Sequence, residues 1–165
     1  MWYAILGAVL LAGDQILKYW VVTHLAVGES VPFLPGFMQL TRLHNYGAAW
    51  SSLSGRTVLL VVFTAVLLAA VALLLIKKVV RHWTGITACT LILSGGIGNI
   101  IDRIVHGYVV DMFDLQLFSY PVFNLADCCV VAGAILGGIY YLFLYEKYDK
   151  KKKESDHAHD PSDPS

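Results

Sequence analysis

The sequence predicts an all-α membrane protein with four transmembrane helices and a small extracytoplasmic β element between the first two. Hydrophobic residues make up 57% of the 165 positions, charged residues only 15%, and the mean hydropathy is +0.63. Of the 24 charged residues, 11 lie in the last twenty positions, so the rest of the chain has too few charges to cover a water-soluble surface. Several apolar stretches are long enough to cross about 30 Å of hydrocarbon as helices.

Four apolar stretches account for the predicted helices. Residues 57–76 and 83–101 contain no charged residue, and the last stretch contains only Asp127, at its start. The first stretch is interrupted by Asp14 and Lys18, but it lacks the basic region and clear cleavage site of a signal peptide, so we expect a retained helix. The expected spans, all in one membrane domain over residues 1–145, are about 2–25, 57–76, 83–101 and 127–145.

Positive charge sets the predicted orientation. One basic cluster lies at 77–81, between the second and third spans, and another at 147–153, after the fourth. Basic residues near span ends mark the cytoplasmic side, and these clusters are two crossings apart. We therefore expect both termini in the cytoplasm and outward segments at 24–56 and 102–126. The polar, acidic tail at 146–165 is expected to be disordered.

The outward segment at 24–56 is predicted to fold rather than to act as a linker. Val31-Pro32-Phe33 is strand-like, and Leu34-Pro35-Gly36 is typical of a turn. We expect a small β element that lies on the membrane.

Composition disfavours several other classes of protein and site. The formal net charge is zero and the pI is about 7.0, so the chain has no basic field for nucleic acid. Cys89, Cys128 and Cys129 lie in or beside apolar runs, and we expect buried thiols rather than a disulfide. His157 and His159 lie in the polar tail without a cysteine nearby, which favours a solvated segment over a metal site. We expect neither a metal nor a cofactor.

Asp14 and Lys18 are costly within a bilayer, at about 2.5–3.5 kcal/mol each on insertion scales. Their spacing of four residues places them on one face of a helix. We favour an internal ion pair that supports the bundle, with Asp14 facing its interior. A direct role in lining a site is the open alternative.

Two aspartates at the outer boundary are the candidate catalytic groups. Asp111 follows the third span and Asp127 begins the fourth, so the topology places both at one membrane surface. Two close carboxylates share a proton because both cannot ionise cheaply; one then activates water while the other protonates a peptide carbonyl or leaving amine. Helix capping and ion pairing, as for adjacent Asp102 and Arg103, are the structural alternative. No G-x-S-x-G or H-E-x-x-H motif competes.

Two other functions remain open on the residues alone. A small transporter is suggested by the intramembrane Asp14 and Lys18, although the second and third spans carry no interior charge and no inverted repeat is visible. A membrane chaperone or assembly factor would bind partners through the outward segment and would not require Asp111 or Asp127.

Five motifs taken together resemble the lipoprotein signal peptidase family, signal peptidase II, along nearly all of residues 1–145. A single such motif is weak, whereas the ordered set on four spans is highly specific. The motifs are Asp14-x-x-x-Lys18, Asn45-Tyr46-Gly47-Ala48-Ala49-Trp50, Gly98-Asn99-x-x-Asp102-Arg103, Val109-Val110-Asp111 and Phe123-Asn124-Leu125-Ala126-Asp127.

The resemblance implies a membrane aspartic peptidase of the bacterial cytoplasmic membrane, with its active site toward the outer face. Members of the family remove signal peptides from diacylglyceryl-modified prolipoproteins, cleaving before the lipidated lipobox cysteine. The resemblance makes Asp111 and Asp127 the catalytic dyad, and segment 24–56 a β-cradle. The implied substrate-binding or site-shaping residues are Asn45, Asn99, Asp102, Arg103, Asn124 and Ala126, with Asp14 and Lys18 as structural support. The implied partners are prolipoprotein substrates and membrane lipids, and we expect a monomer.

The chain departs from the family pattern at a few positions. Met112 stands where an aromatic residue is common, and two cysteines follow Asp127 where small polar residues are usual. These departures bear on the shape of the pocket and remove no catalytic group. Asp114, three residues after Asp111, is the one competing carboxylate; the pattern favours Asp111 and makes Asp114 an ordinary residue of the outward segment.

Overall fold

Four long helices and one three-stranded sheet make up the part of the chain that the computed structural model describes, residues 1–47 and 56–150. The helices are α1 (Trp2–His24), α2 (Thr57–Ile76), α3 (Trp83–His106) and α4 (Leu125–Ile139). π-Helical turns at Tyr140–Leu144 and Glu146–Lys150 prolong α4. The strands are β1 (Ser30–Leu34), β2 (Met38–Asn45) and β3 (Val109–Leu115). All four helices, with α4 counted through its first π-helical turn to Leu144, are long and apolar enough to cross a membrane, which confirms the predicted fold class.

The outer surface of the bundle is apolar. On α2, only Leu60 and Leu68 are buried, while Val58, Phe63 and Val66 are among its many exposed apolar side chains. An apolar surface of this extent is unfavourable in water and suits hydrocarbon. The distribution is that of a helical bundle surrounded by lipid.

Helix α3 occupies the centre and packs against the other three helices. Its contact with α4 depends on Gly133, where a Cβ atom would lie 2.8 Å from Ile92 Cγ1 and 2.9 Å from the carbonyl oxygen of Ala88. At Gly137, the other glycine of the G-x-x-x-G pair, a Cβ would make only ordinary contact, at 3.7 Å. Close packing of α3 on α4 therefore requires one of these two glycines.

The sheet is antiparallel, in the order β1-β2-β3, and it closes one end of the bundle. Val110 and Met112 of β3 are buried against Val21 of α1 and Leu25, which follows that helix. Arg42 of β2 donates from Nη1 to the carbonyl oxygens of Val22 and Leu25, at 2.9 Å each, and so ties the sheet to the end of α1. The predicted β element is present, but its third strand comes from the second outward segment, where no strand was predicted.

Two helix boundaries and the exposure of one cysteine differ from the sequence-based expectations. Helix α3 continues to His106, beyond the expected end at residue 101, because Asp102 and Arg103 bind partners within the structure. Helical structure also continues to Lys150, inside the segment expected to be disordered, and Asp149 there accepts hydrogen bonds from the backbone N–H groups of Arg81 and His82, at 3.1 Å each. Residues 151–165 lie outside the described residues. Cys128 is exposed, contrary to expectation, whereas the other two cysteines are buried.

Candidate active site

The two candidate aspartates meet at the sheet end of the bundle through one asparagine. Asp111 lies in β3, and Asp127 lies in the first turn of α4. Asn124, the N-cap of α4, donates from Nδ2 to Asp111 Oδ1 at 2.7 Å. Its Oδ1 accepts the N–H of Asp127 at 2.9 Å, and its own N–H donates to Asp127 Oδ2 at 3.3 Å. This reciprocal pair is a capping box, so the side chain that caps α4 also joins the two carboxylates.

Backbone pairing brings the start of α4 beside β3. Phe123 donates its N–H to the carbonyl oxygen of Phe113 at 3.1 Å and accepts the N–H groups of Phe113 and Met112 at 2.7 and 3.0 Å. Because Phe123 immediately precedes Asn124, this pairing fixes the helix cap next to Asp111.

Two further asparagines each hold one carboxylate. Asn45 of β2 donates from Nδ2 to Asp111 Oδ2 at 2.9 Å; the two residues share a sheet face because Leu43 pairs with Asp111. Asn99 of α3 donates from Nδ2 to Asp127 Oδ1 at 2.7 Å. Both oxygens of each aspartate therefore accept an N–H group.

Asp14, Lys18 and Asp102 form a buried charge triad directly behind these groups, and each is at most 3% exposed. Lys18 Nζ lies 2.8 Å from Asp14 Oδ2 and 3.0 Å from Asp102 Oδ2. Asp14 Oδ1 accepts the N–H of Ala126 at 2.9 Å, and Asp102 Oδ2 accepts the N–H of Val110 at 3.0 Å. The triad thus holds the residue immediately before each candidate catalytic aspartate.

Arg103 and Asp102 are adjacent in sequence but bind different partners. Its Nη2 donates to the carbonyl oxygen of Gly47 at 2.8 Å, and its Nη1 donates to that of Asn99 at 3.3 Å. Within the described residues, Asp102 pairs with Lys18 rather than with Arg103. Arg103 therefore joins α3 to the end of the Asn45-Tyr46-Gly47 segment; the rest of that motif, residues 48–50, lies outside the described residues.

A cavity of about 320 Å³ opens onto both aspartates. Asn45, Asn99 and Arg103 line it together with the two carboxylates. Asp14, Lys18, Asp102, Asn124 and Ala126 lie outside its lining and act from behind it. The rest of its wall is mainly apolar. Two of its residues belong to the sequence motifs, Val109 and Phe123, and the others were not predicted: Tyr120, Pro121, Val122, Val130 and Val131. The only sequence signal for the last two valines is their position one turn after Asp127 on α4.

The surroundings of Asp111 favour its protonated form. Burial raises the pKa of Asp111 to about 7, and the nearby charge of Asp127 acts in the same direction, against the amide groups of Asn45 and Asn124. A pKa of this kind keeps Asp111 partly protonated near neutral pH.

Asp114 lies apart from the cavity. It is three positions from Asp111 on the same strand, so the two side chains point to opposite faces of the sheet. Asp114 Oδ2 accepts from Gln39 Nε2 at 2.7 Å and from Thr41 Oγ1 at 3.3 Å. Its carboxylate thus belongs to polar contacts on the other face of the sheet.

Known proteins resemble this chain along most of its length. The family model described as Signal peptidase (SPase) II matches residues 6–143. A protein named lipoprotein signal peptidase from Enterococcus faecalis is 40% identical over 151 residues, which are 92% of this chain and 93% of that protein. One of the same name from Lactococcus lactis subsp. lactis is 38% identical and covers 87% of this chain and 91% of its own length.

Two solved structures share the fold. Both are described as bacterial membrane enzymes solved by the in meso method, one at 2.3 Å and one at 1.9 Å resolution. The first has a TM-score of 0.79 and 27% identity, and covers 99% of this chain and 94% of its own. The second has a TM-score of 0.79 and 33% identity, and covers 86% and 93%. With its four membrane-capable helices and this family match, the chain is a multi-pass membrane protease that belongs to the lipoprotein signal peptidase (signal peptidase II) family.

Proposed function

We propose that this chain is an aspartic endopeptidase in which Asp111 and Asp127 form the catalytic dyad. Its proposed substrate is a diacylglyceryl-modified prolipoprotein, cleaved before the lipidated lipobox cysteine. The observation that carries the proposal is the joining of the two carboxylates through Asn124 on the wall of one cavity. The relatives' name, lipoprotein signal peptidase, supports the substrate class.

The proposed reaction needs only water and one proton shared by the dyad. The ionised carboxylate takes a proton from water as the water oxygen attacks the scissile carbonyl carbon, and the protonated carboxyl gives its proton to the carbonyl oxygen. The tetrahedral gem-diol intermediate then breaks its C–N bond while one dyad proton passes to the leaving nitrogen and one hydroxyl proton of the intermediate passes back to the dyad. The products are a carboxylic acid and an amine, which become a carboxylate and an ammonium by proton exchange, and the dyad again holds one proton.

The remaining site residues receive positioning roles in this proposal. Asn45, Asn99 and Asn124 orient the carboxylates, and Arg103 presents a positive charge to the cavity. Asp14, Lys18, Asp102 and Ala126 fix the backbone beneath them. The transporter alternative loses its main support, because Asp14 and Lys18 bind each other instead of lying unpaired along a proton path.

We also propose that both termini are cytoplasmic and that the site faces the outer side of the membrane. The basic clusters near the α2–α3 link and after α4 support this orientation. The acyl chains and signal helix of the substrate would then lie in the bilayer, and the scissile bond would reach the dyad at the membrane boundary.

Single-turnover cleavage of a diacylglyceryl-modified lipobox peptide in nanodiscs tests the proposal. We expect the parent to cut before the modified cysteine, and Asp111→Asn and Asp127→Asn to lose at least about 100-fold in rate. Asp114→Asn is the matched control, because it removes a carboxylate from the same strand but not from the cavity; its rate should stay within a few-fold of the parent.

Other outcomes of this experiment would change the proposal. Cleavage that survives in Asp111→Asn and fails in Asp114→Asn would move the dyad. Absence of cleavage by folded parent protein would overturn the peptidase assignment. Proton flux through vesicles containing the purified protein would then point to the transporter, and a binding activity kept by the double Asn variant would point to the chaperone.

A further inference from the structure

The two aspartates of the proposed dyad have unequal surroundings. We infer that Asp127 is the ionised member, which activates water, and that Asp111 carries the shared proton as the acid. This inference rests on the proposed peptidase function and assigns roles within it.

The contacts of Asp127 are those of a charged carboxylate. Its side chain closes the capping box in the first turn of α4, where the helix dipole and the unpaired N–H groups favour negative charge. It accepts a backbone N–H, that of Asn124, at 3.3 Å. Asp127 is also partly exposed, whereas Asp111 is 1% exposed, so charge on Asp127 is better solvated.

The orientation of Asn99 adds a second constraint on Asp127. The ammonium group of Lys18 can only donate hydrogen bonds, and its Nζ lies 3.0 Å from Asn99 Oδ1. Asn124 Nδ2 donates to the same oxygen at 3.2 Å. Two donors thus fix the amide of Asn99, so its NH₂ group faces Asp127 Oδ1, and that oxygen accepts. Asn45, whose Oδ1 accepts the N–H of Gly47 at 2.9 Å, holds Asp111 Oδ2 in the same way, so these contacts fix the geometry of both carboxylates and do not by themselves separate their roles.

Asp111 has weaker support for negative charge. It lies in β3 beside the cap of α4, but among the described residues it accepts hydrogen bonds from the neutral side-chain amides of Asn45 and Asn124 and from no backbone N–H group. Burial raises the pKa of Asp111 to about 7, which agrees with a proton at this position. Among the described residues, the charged groups packed around the dyad, from every adjoining element, are Asp14 and Lys18 on α1 and Asp102 and Arg103 on α3. Arg103 lines the cavity with both carboxylates and so does not by itself separate them.

The pH dependence of kcat/KM in two matched variants tests this assignment. With Asp127 as the base, the acidic limb reports Asp127 and the alkaline limb reports Asp111. Asn99→Ala removes an amide donor from Asp127 alone and should move the acidic limb upward by about one pH unit. Asn45→Ala removes the equivalent donor from Asp111 alone and should move the alkaline limb upward by about the same amount.

A purely structural role for the two asparagines would lower turnover without moving either limb, and that result would overturn the inference. Movement of the alkaline limb in Asn99→Ala and of the acidic limb in Asn45→Ala would reverse the two roles. Movement of both limbs together in each variant would also overturn it.

An infrared titration of substrate-free protein with ¹³C-labelled aspartate keeps the test independent of turnover. The band of the protonated carboxyl should lose intensity at higher pH in Asn45→Ala than in the parent, and at an unchanged pH in Asn99→Ala. The opposite pattern, or no difference, would overturn the assignment; serine replaces alanine at either position where the alanine variant loses its fold. If the two variants show the expected difference in the infrared titration but the parent does not cleave the substrate, the proposed function is refuted, and the assignment of the proton to Asp111 stands.

Discussion

Replacing Lys18 by methionine tests whether the buried triad stabilises the bundle as a unit. Lys18 Nζ is within 3.0 Å of two carboxylates, and all three side chains are at most 3% exposed. The substitution leaves Asp14 and Asp102 buried without their cation. Removing one partner of a buried ion pair costs about 3–5 kcal/mol. In a domain of this size, each kcal/mol shifts Tm by about 2–4 °C, so Lys18→Met should lower Tm by about 6–20 °C.

The assay is thermal unfolding in detergent micelles, followed by tryptophan fluorescence. Lys147→Met is the matched control, because Lys147 is exposed and its loss should change Tm by less than about 2 °C. The triple variant Asp14→Asn, Lys18→Met, Asp102→Asn should recover most of the lost stability. It removes all three charges and keeps an amide oxygen to accept each backbone N–H that the carboxylates now accept.

Either of two results would refute this reasoning. A Tm of Lys18→Met within about 2 °C of the parent would mean that the two carboxylates do not depend on this cation. A triple variant as unstable as Lys18→Met would mean that the methionine itself, rather than unpaired charge, causes the loss.

Three further predictions follow from other parts of the structure. At Gly98 a Cβ would lie 2.7 Å from Asp14 Oδ2, so Gly98→Ala should lower the free energy of unfolding by about 1–3 kcal/mol. At Gly137 a Cβ has room, so Gly137→Ala should lower it much less. Burial raises the pKa of Asp111 to about 7 in the folded protein, so protonation of Asp111 stabilises the folded state. This stabilisation is lost as the proton dissociates, so Tm should fall between about pH 4 and 7, and Asp111→Asn should flatten that fall. In a background without native cysteines, an impermeant thiol reagent applied outside cells should label Ser30→Cys and not Lys77→Cys; the reverse pattern would invert the proposed orientation.

The helices were predictable from sequence because a membrane helix needs length and little charge, and both are visible in a single chain. The strand β3 was not predictable in the same way. Val109 to Met112 are all buried, so the alternation typical of a half-buried strand is absent. Its pairing partner, β2, is also more than sixty residues away in sequence. The end of α3 was misplaced because polar residues that bind each other inside a bundle look, in sequence, like the end of a span.

The site was predictable as a set of residues but not as a set of contacts. The adjacent Asp102 and Arg103 suggested an ion pair, yet successive residues of a helix point about 100° apart, and each binds a different neighbour. The apolar wall at Val130 and Val131 was not predicted either, because valines in a membrane helix carry no signal that separates a cavity from lipid. Motifs thus identified the polar groups, while packing determined how those groups are used.

Stability and positioning are coupled in this molecule through two backbone N–H groups. Asp102 binds the N–H of Val110, next to Asp111, and Asp14 binds that of Ala126, next to Asp127. Lys18 binds the carboxylates of both Asp14 and Asp102, so one cation determines how β3 and α4 lie relative to each other. A shift of either backbone would move one aspartate relative to the other, and proton transfer requires contact at hydrogen-bond distance. Lys18 is therefore expected to affect turnover even under conditions where its variants remain folded.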